Sequence, residues 1–143
     1  MVKKYFGAMV IFQRTINRVN EYLVVSNSQT GNVSFVAGAQ EGKEQLEDTA
    51  IREVEEELGL TIVNYTLKPT EIYHEFVFGP NKPEWAGSPA AYQVFRGQLY
   101  DPRQKLTHTQ ELKSAKWMNR DEVLNSLTFP DLKEVFSRFL QVN

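Results

Sequence analysis

Nine residues near the middle of the chain, "REVEEELGL" from Arg52 to Leu60, put carboxylates at four of five consecutive positions: Glu53, Glu55, Glu56 and Glu57. On a helix, residues three and four apart are neighbours, so Glu53 faces both Glu56 and Glu57. Each such like-charge pair costs roughly 0.2–0.5 kcal/mol. The surrounding pattern nevertheless predicts a helix, from about Lys43 to Leu58. Gly42 is an acceptable N-cap, and Glu44, Glu47 and Asp48 bring negative charge to the positive end of the dipole. Gly59 stands where a left-handed C-terminal residue is expected, with Leu60 folding back onto the last turn. At ~100° per residue, Ala50, Ile51, Val54 and Leu58 share one stripe, and Glu53, Glu56 and Glu57 an adjacent one. Glu55 points to solvent.

A solvated acidic face usually carries Lys or Arg four residues on, and none follows these three acids. Three grouped carboxylates suit a hard divalent cation, which takes oxygen ligands and reverses the sign of the local electrostatics. Because the acids lie on a helix and not in a D-x-D-x-D-G loop, an EF-hand calcium site is excluded.

The spacing reaches further back. Gly38, five residues, Glu44, seven residues, then Arg52-Glu53-Val54-Glu55-Glu56-Glu57-Leu58-Gly59-Leu60 fit G-x5-E-x7-R-E-U-x-E-E-x-G-U, U being aliphatic, at every fixed position. Seven fixed identities at about 7% usage each make this a roughly one-in-a-million chance match per chain. The segment resembles the Nudix box, the signature of the Nudix hydrolases. Glu41 and Ala50 also match residues often seen inside it. Val36 and Ala37 stand where many members have Pro and Gly, and Ala39 follows Gly38; these departures touch loop shape more than chemistry.

The resemblance implies an α/β (α+β) fold, an α/β/α sandwich with a central mixed sheet and the box as loop-helix-loop. It implies Mg²⁺-dependent hydrolysis of a diphosphate linkage in a nucleoside di- or triphosphate derivative, with Mn²⁺ able to substitute. Glu53, Glu56 and Glu57, with the Gly38 carbonyl, are the implied metal ligands. Glu53 and Glu111 are alternative general bases. Arg52 holds a carboxylate by paired hydrogen bonds, or forms an ordinary i,i+4 pair with Glu56. Glu44 orients the loop or the arginine, or serves the helix dipole. A nucleoside triphosphate pyrophosphohydrolase of the MutT kind is favoured. The alternatives are a hydrolase of dinucleoside polyphosphates or nucleotide sugars, and a non-catalytic nucleotide-binding domain.

In "YHEFVFGPNKPEWAG", Tyr73, Phe76, Phe78 and Trp85 could stack on a base. Alternation along a strand favours core positions for Phe76 and Phe78. Trp85, between Pro83 and Gly87, is the better stacking candidate, and Lys82 is placed to meet a phosphate.

The rest of the chain frames this site. At 143 residues it fits a single domain, 1–143, and a net charge of −2 offers no basic face for a nucleic-acid duplex or a membrane surface. No cysteine is present, which excludes disulfides, thiolate nucleophiles and Cys-based zinc sites. His74 and His108 have no identifiable partner, which favours structural or exposed roles. The opening "MVKKYFGAMVIFQR" superficially resembles a signal peptide, but it is short, lacks a small-x-small cleavage site and leads into another strand-like run. It reads as a buried strand of a cytoplasmic protein, with a homodimer allowed. Strands are expected at "EYLVVSNS", "VSFVAG", "AAYQVFRGQLY" and "KSAKWMN". One or two more lie in Thr61–Gly79, interrupted near Pro69. "GPNKPEWAGSP" reads as a loop. "RDEVLNSL" and "DLKEVFSRFL" read as helices, with Asp121 and Asp131 in their first turns.

Overall fold

The run YFGAMVIFQRTI has apolar side chains on both of its faces, and β1 (Tyr5–Ile16) is correspondingly covered on both. In the computed structural model, which describes residues 3–142, Ala8, Val10 and Phe12 join a core cluster under helix α1 (Leu46–Leu58). Met9 and Ile11 face the opposite cluster, built with α2 (Arg120–Ser126) and α3 (Pro130–Gln141). The expected layers, helix on either side of a mixed sheet, are present.

β1 is also where the sheet divides. Its C-terminal half pairs antiparallel with β2 (Val19–Asn27), and its N-terminal half pairs on the same side with β4 (Val36–Ala39). Its other edge runs parallel to β6 (Pro89–Leu99), which pairs with β5 (Tyr65–Val77). β2 leaves β1 and takes β3 (Val33–Ser34) and β7 (Leu112–Met118) as neighbours. Because β2 and β4 share one edge of β1 and then diverge, a gap opens between them. α1 closes one side of it.

α1 packs through Ala50, Val54 and Leu58, all 1% exposed or less. Full burial of a Val or Leu side chain stabilises by roughly 1.5–3 kcal/mol, enough to outweigh the acidic repulsions on the neighbouring stripe. Ile51 is only half-buried; the fourth inward position is Thr49. The helix begins at Leu46, three residues later than expected. Gly42, at φ 55°, serves a turn and not an N-cap. Glu44 closes that turn, its amide donating to Glu41 O at 3.2 Å and its carboxylate accepting from Glu41 N at 2.8 Å. Gln45 becomes the cap residue, its amide donating to Asp48 Oδ2. The C-terminus ends as expected: Gly59 is left-handed at φ 70° and ψ 13°, and Leu60 returns to the core.

β5 is a single strand whose pairing with β6 shifts between Pro69 and Tyr73, the point where proline removes a ladder donor. His74 is buried, its Nε2 2.6 Å from Asp131 Oδ2 in the first turn of α3, and it stacks on Phe76. It ties β5 to α3. His108 is exposed. No helix among the described residues is long and apolar enough to cross a membrane.

Candidate active site

Arg52 organises the acidic helix. Its Nε and Nη2 donate to the two oxygens of Glu44, each at 2.9 Å, a bidentate pair. Nη2 also donates to Ala39 O on β4, and Nη1 to Glu53 Oε1 at 2.9 Å. The i,i+4 contact to Glu56 exists but is longer, 3.3–3.4 Å. The arginine thus bolts the helix to the strand and loop that precede it, and the charge cluster is not uncompensated. Glu44 accepts further from Thr49 Oγ1 at 3.0 Å. The bonds from Arg52 hold its carboxyl down at about 2, and Glu44 in turn keeps the guanidinium above its usual range.

One turn on, the balance reverses. Glu57 is 7% exposed, and no basic side chain pairs with it among the described residues. Burial, with Glu53 beside it, pushes its carboxyl up to about 9. Burial raises Glu53 as well, against the pull of Arg52. Glu56, on the outer margin, is exposed. Gly38 lies under Glu53: a Cβ there would overlap the Glu53 carboxyl group. On β1, a Cβ on Gly7 would in turn collide with the Gly38 carbonyl oxygen. Gly38, whose carbonyl is expected to serve a metal, thus stands in close contact with both the Glu53 carboxyl group and β1.

Glu53, Glu56, Glu57 and Gly38 line one wall of a cleft of about 760 Å³ at the gap between β2 and β4. Glu111, Lys82 and Trp85 line it elsewhere, so most of the predicted site converges on one space. Arg52 and Glu44 stand behind the wall. Trp85 is half-buried against Tyr5 and Phe78, with ring centroids 5.0 and 5.1 Å away, and Lys82 Nζ lies 5.8 Å from its ring centroid. Phe78 is buried and Phe76 half-buried, as strand alternation predicts. Tyr73 does not belong to the cleft. Alternation on β5 turns Thr70, Ile72 and His74 inward and leaves Tyr73 42% exposed on the opposite face.

Two residues that sequence reasoning missed fix Glu111. Thr109 bonds to the last turn of α1, and the backbone N and Oγ of Ser28 both donate to Glu111 O at 3.1 Å. Neither stands at a position whose sequence context signals such a role.

The donor set fits a hard divalent cation. It consists of oxygens alone, one carboxylate among them buried without a base, above a glycine that leaves room for them. As the side chains stand, no three acidic or histidine groups among the described residues are drawn together at ligand spacing. Arg52 holds Glu53 and Glu56 toward its guanidinium, while the Glu53 and Glu57 side chains hydrogen-bond to each other.

A family model described as NUDIX domain matches residues 6–139. No curated protein matches the chain. Among solved structures it resembles the dihydroneopterin triphosphate pyrophosphohydrolase of E. coli, with a TM-score of 0.79 at 17% identity, covering 96% of this chain and 94% of that one. A C. elegans Ap4A hydrolase binary complex superposes with a TM-score of 0.75 at 19% identity, over 99% and 98%. A MutT protein from Methanosarcina mazei Go1 gives 0.73 at 20% identity, over 98% and 95%. At these identities the likeness speaks for the fold.

Proposed function

The chain belongs to the NUDIX family as a hydrolase of phosphoric anhydrides, and on that premise we propose that it is a Mg²⁺-dependent pyrophosphohydrolase of a nucleoside triphosphate or related compound. The observation that carries this reading is the convergence of Glu53, Glu56, Glu57 and Glu111 on the cleft that also holds Trp85 and Lys82. In it, Glu53, Glu56 and Glu57, with the Gly38 carbonyl, would hold the metal. Bound there, Mg²⁺ (or Mn²⁺) would supply charge neutralisation between carboxylate and phosphate oxygens and a more acidic water.

The chain's own groups do the rest. Arg52, locked by Glu44, keeps Glu53 in place through the shared Nη1 bond. Glu111 is exposed and its carboxylate makes no hydrogen bond among the described residues, whereas Glu53 Oε1 is already taken by Arg52. Of the two candidate bases, Glu111 is thus the freer to accept a proton from the attacking water. Trp85 offers a face for a base, and Lys82 a point charge for a phosphate.

Charge favours a short phosphate chain. Five acids line the cleft, Glu41, Glu53, Glu56, Glu57 and Glu111, against the single base Lys82. A long polyphosphate linker would meet little compensating charge, which supports a MutT-like substrate over a dinucleoside polyphosphate. The setting is proposed as the cytoplasm, with homodimer formation readable by light scattering. The deciding experiment is a panel of nucleoside triphosphates, dinucleoside polyphosphates and nucleotide sugars, with products identified, with and without Mg²⁺. Metal-dependent release of pyrophosphate from a triphosphate is expected. Binding without turnover across the panel would instead make this a non-catalytic nucleotide-binding domain.

A further inference from the structure

The last turn of α1 is closed by the left-handed Gly59 but carries no basic residue to meet its other carbonyls. Gly59 N returns to Glu55 O, which leaves the carbonyls of Glu56 and Glu57 without a partner inside the helix. Both are satisfied by one residue more than fifty positions away. Thr109 N donates to Glu57 O at 3.0 Å, and Thr109 Oγ1 donates to Glu56 O at 2.6 Å. The same hydroxyl oxygen accepts from Glu111 N at 3.4 Å, and Thr109 O accepts from Leu112 N at 3.2 Å. A single side chain therefore joins the helix end that bears Glu56 and Glu57 to the loop that bears Glu111. Ser28 grips that loop from the other side, through Glu111 O.

We propose that Thr109 is a positioning residue: it sets the distance between Glu111 and the helix carboxylates, so that the negative charge of Glu111 stands beside the cation those carboxylates hold. The inference rests on the metal-binding reading above, and adds to it a residue outside the box that touches neither substrate nor metal. Glu111 is exposed and on a loop, with its carbonyl held by Ser28 and its amide by the Thr109 hydroxyl. Two hydrogen bonds to helix carbonyls and two from its own loop let Thr109 tie that loop to the helix. Valine keeps the shape and loses the hydroxyl; serine keeps the hydroxyl.

The test is a titration of the metal-free protein with Mn²⁺ alone, free ion being counted by electron paramagnetic resonance, with thermal midpoints measured alongside. Thr109→Val is expected to raise the Mn²⁺ Kd about tenfold, within the range for groups that orient metal ligands. Thr109→Ser should stay within about twofold of wild type, and Thr109→Val should add almost nothing in a Glu111→Gln background, because both act through one carboxylate. A lower thermal midpoint with unchanged Mn²⁺ affinity would make Thr109 a helix clamp only and overturn the inference. Losses that add in the double variant would overturn it too. Were Glu111→Gln itself without effect on Mn²⁺, the inference would fall, while Glu56→Gln in the same titration judges the helix carboxylates independently.

Discussion

Freed of metal, the protein should lose stability as the pH rises, and Glu57 should be the cause. Folding removes that side chain from water and sets it beside Glu53, so the native state holds its carboxyl at about 9, against an ordinary value of 4.5. Between those values the folded chain keeps a proton that the unfolded chain has released. The native state is favoured fully below the lower value, and that advantage drains away as pH rises toward the higher one. One proton corresponds to a slope of ~1.4 kcal/mol per pH unit. For a domain of this size that is about 3–5 °C of thermal midpoint per unit. Glu44 has the opposite sign: held down at about 2 by Arg52, it contributes stability above 4.5 that is lost as pH falls. Measuring midpoints in EDTA from about pH 5.5 to about pH 8.5 keeps Glu44 ionised throughout and reads Glu57 together with its partner Glu53. Wild type should descend along that slope relative to Glu57→Gln, whose amide neither titrates nor repels Glu53. Saturating Mg²⁺ should flatten the wild-type curve, because ligation displaces the proton. Parallel curves for wild type and variant in EDTA would refute the reasoning, since Glu57 would then ionise alike in both states.

Three further outcomes follow from the same geometry. Glu56→Gln should lower kcat about a hundredfold, ~2.7 kcal/mol of transition-state stabilisation; Glu56 is exposed, so far-ultraviolet circular dichroism and the midpoint in EDTA should hold, and near wild-type turnover at saturating Mg²⁺ would remove it from the ligand set. Gly38→Ala should displace the Glu53 carboxylate and break its bond to Arg52, cutting activity and Mn²⁺ affinity together; full activity in the alanine variant would show that the cradle is not needed. Trp85→Ala should both raise KM severalfold and lower the midpoint by a few degrees, because the ring stacks under its own loop as well as facing the cleft; a midpoint drop with unchanged KM would make it structural alone.

Much of the site is legible in the sequence because it is local. Glu53, Glu56 and Glu57 lie within five residues of one helix, so helical period alone places them on one stripe beside Val54 and Leu58. Gly59 announces the helix end through a backbone conformation that side chains disfavour. The same local logic fails at the other end. The helix starts at Leu46 and not Lys43 because Glu44 is committed to Arg52 and to the preceding turn, a choice that depends on side-chain partners and not on propensity. Tyr73 shows the limit of alternation: period two states that Tyr73 and His74 face opposite ways, but not which of them is covered, and neither lines the cleft. That was settled by α3, which covers the His74 face through Asp131. Thr109 and Ser28 lie furthest from sequence reasoning. Their partners are main-chain carbonyls on elements distant along the chain, and a carbonyl is offered by every residue alike. Composition and spacing therefore determined which acids stand together on the helix, while only the division of the sheet at β1 and the docking of the 109–111 loop decided what stands opposite them.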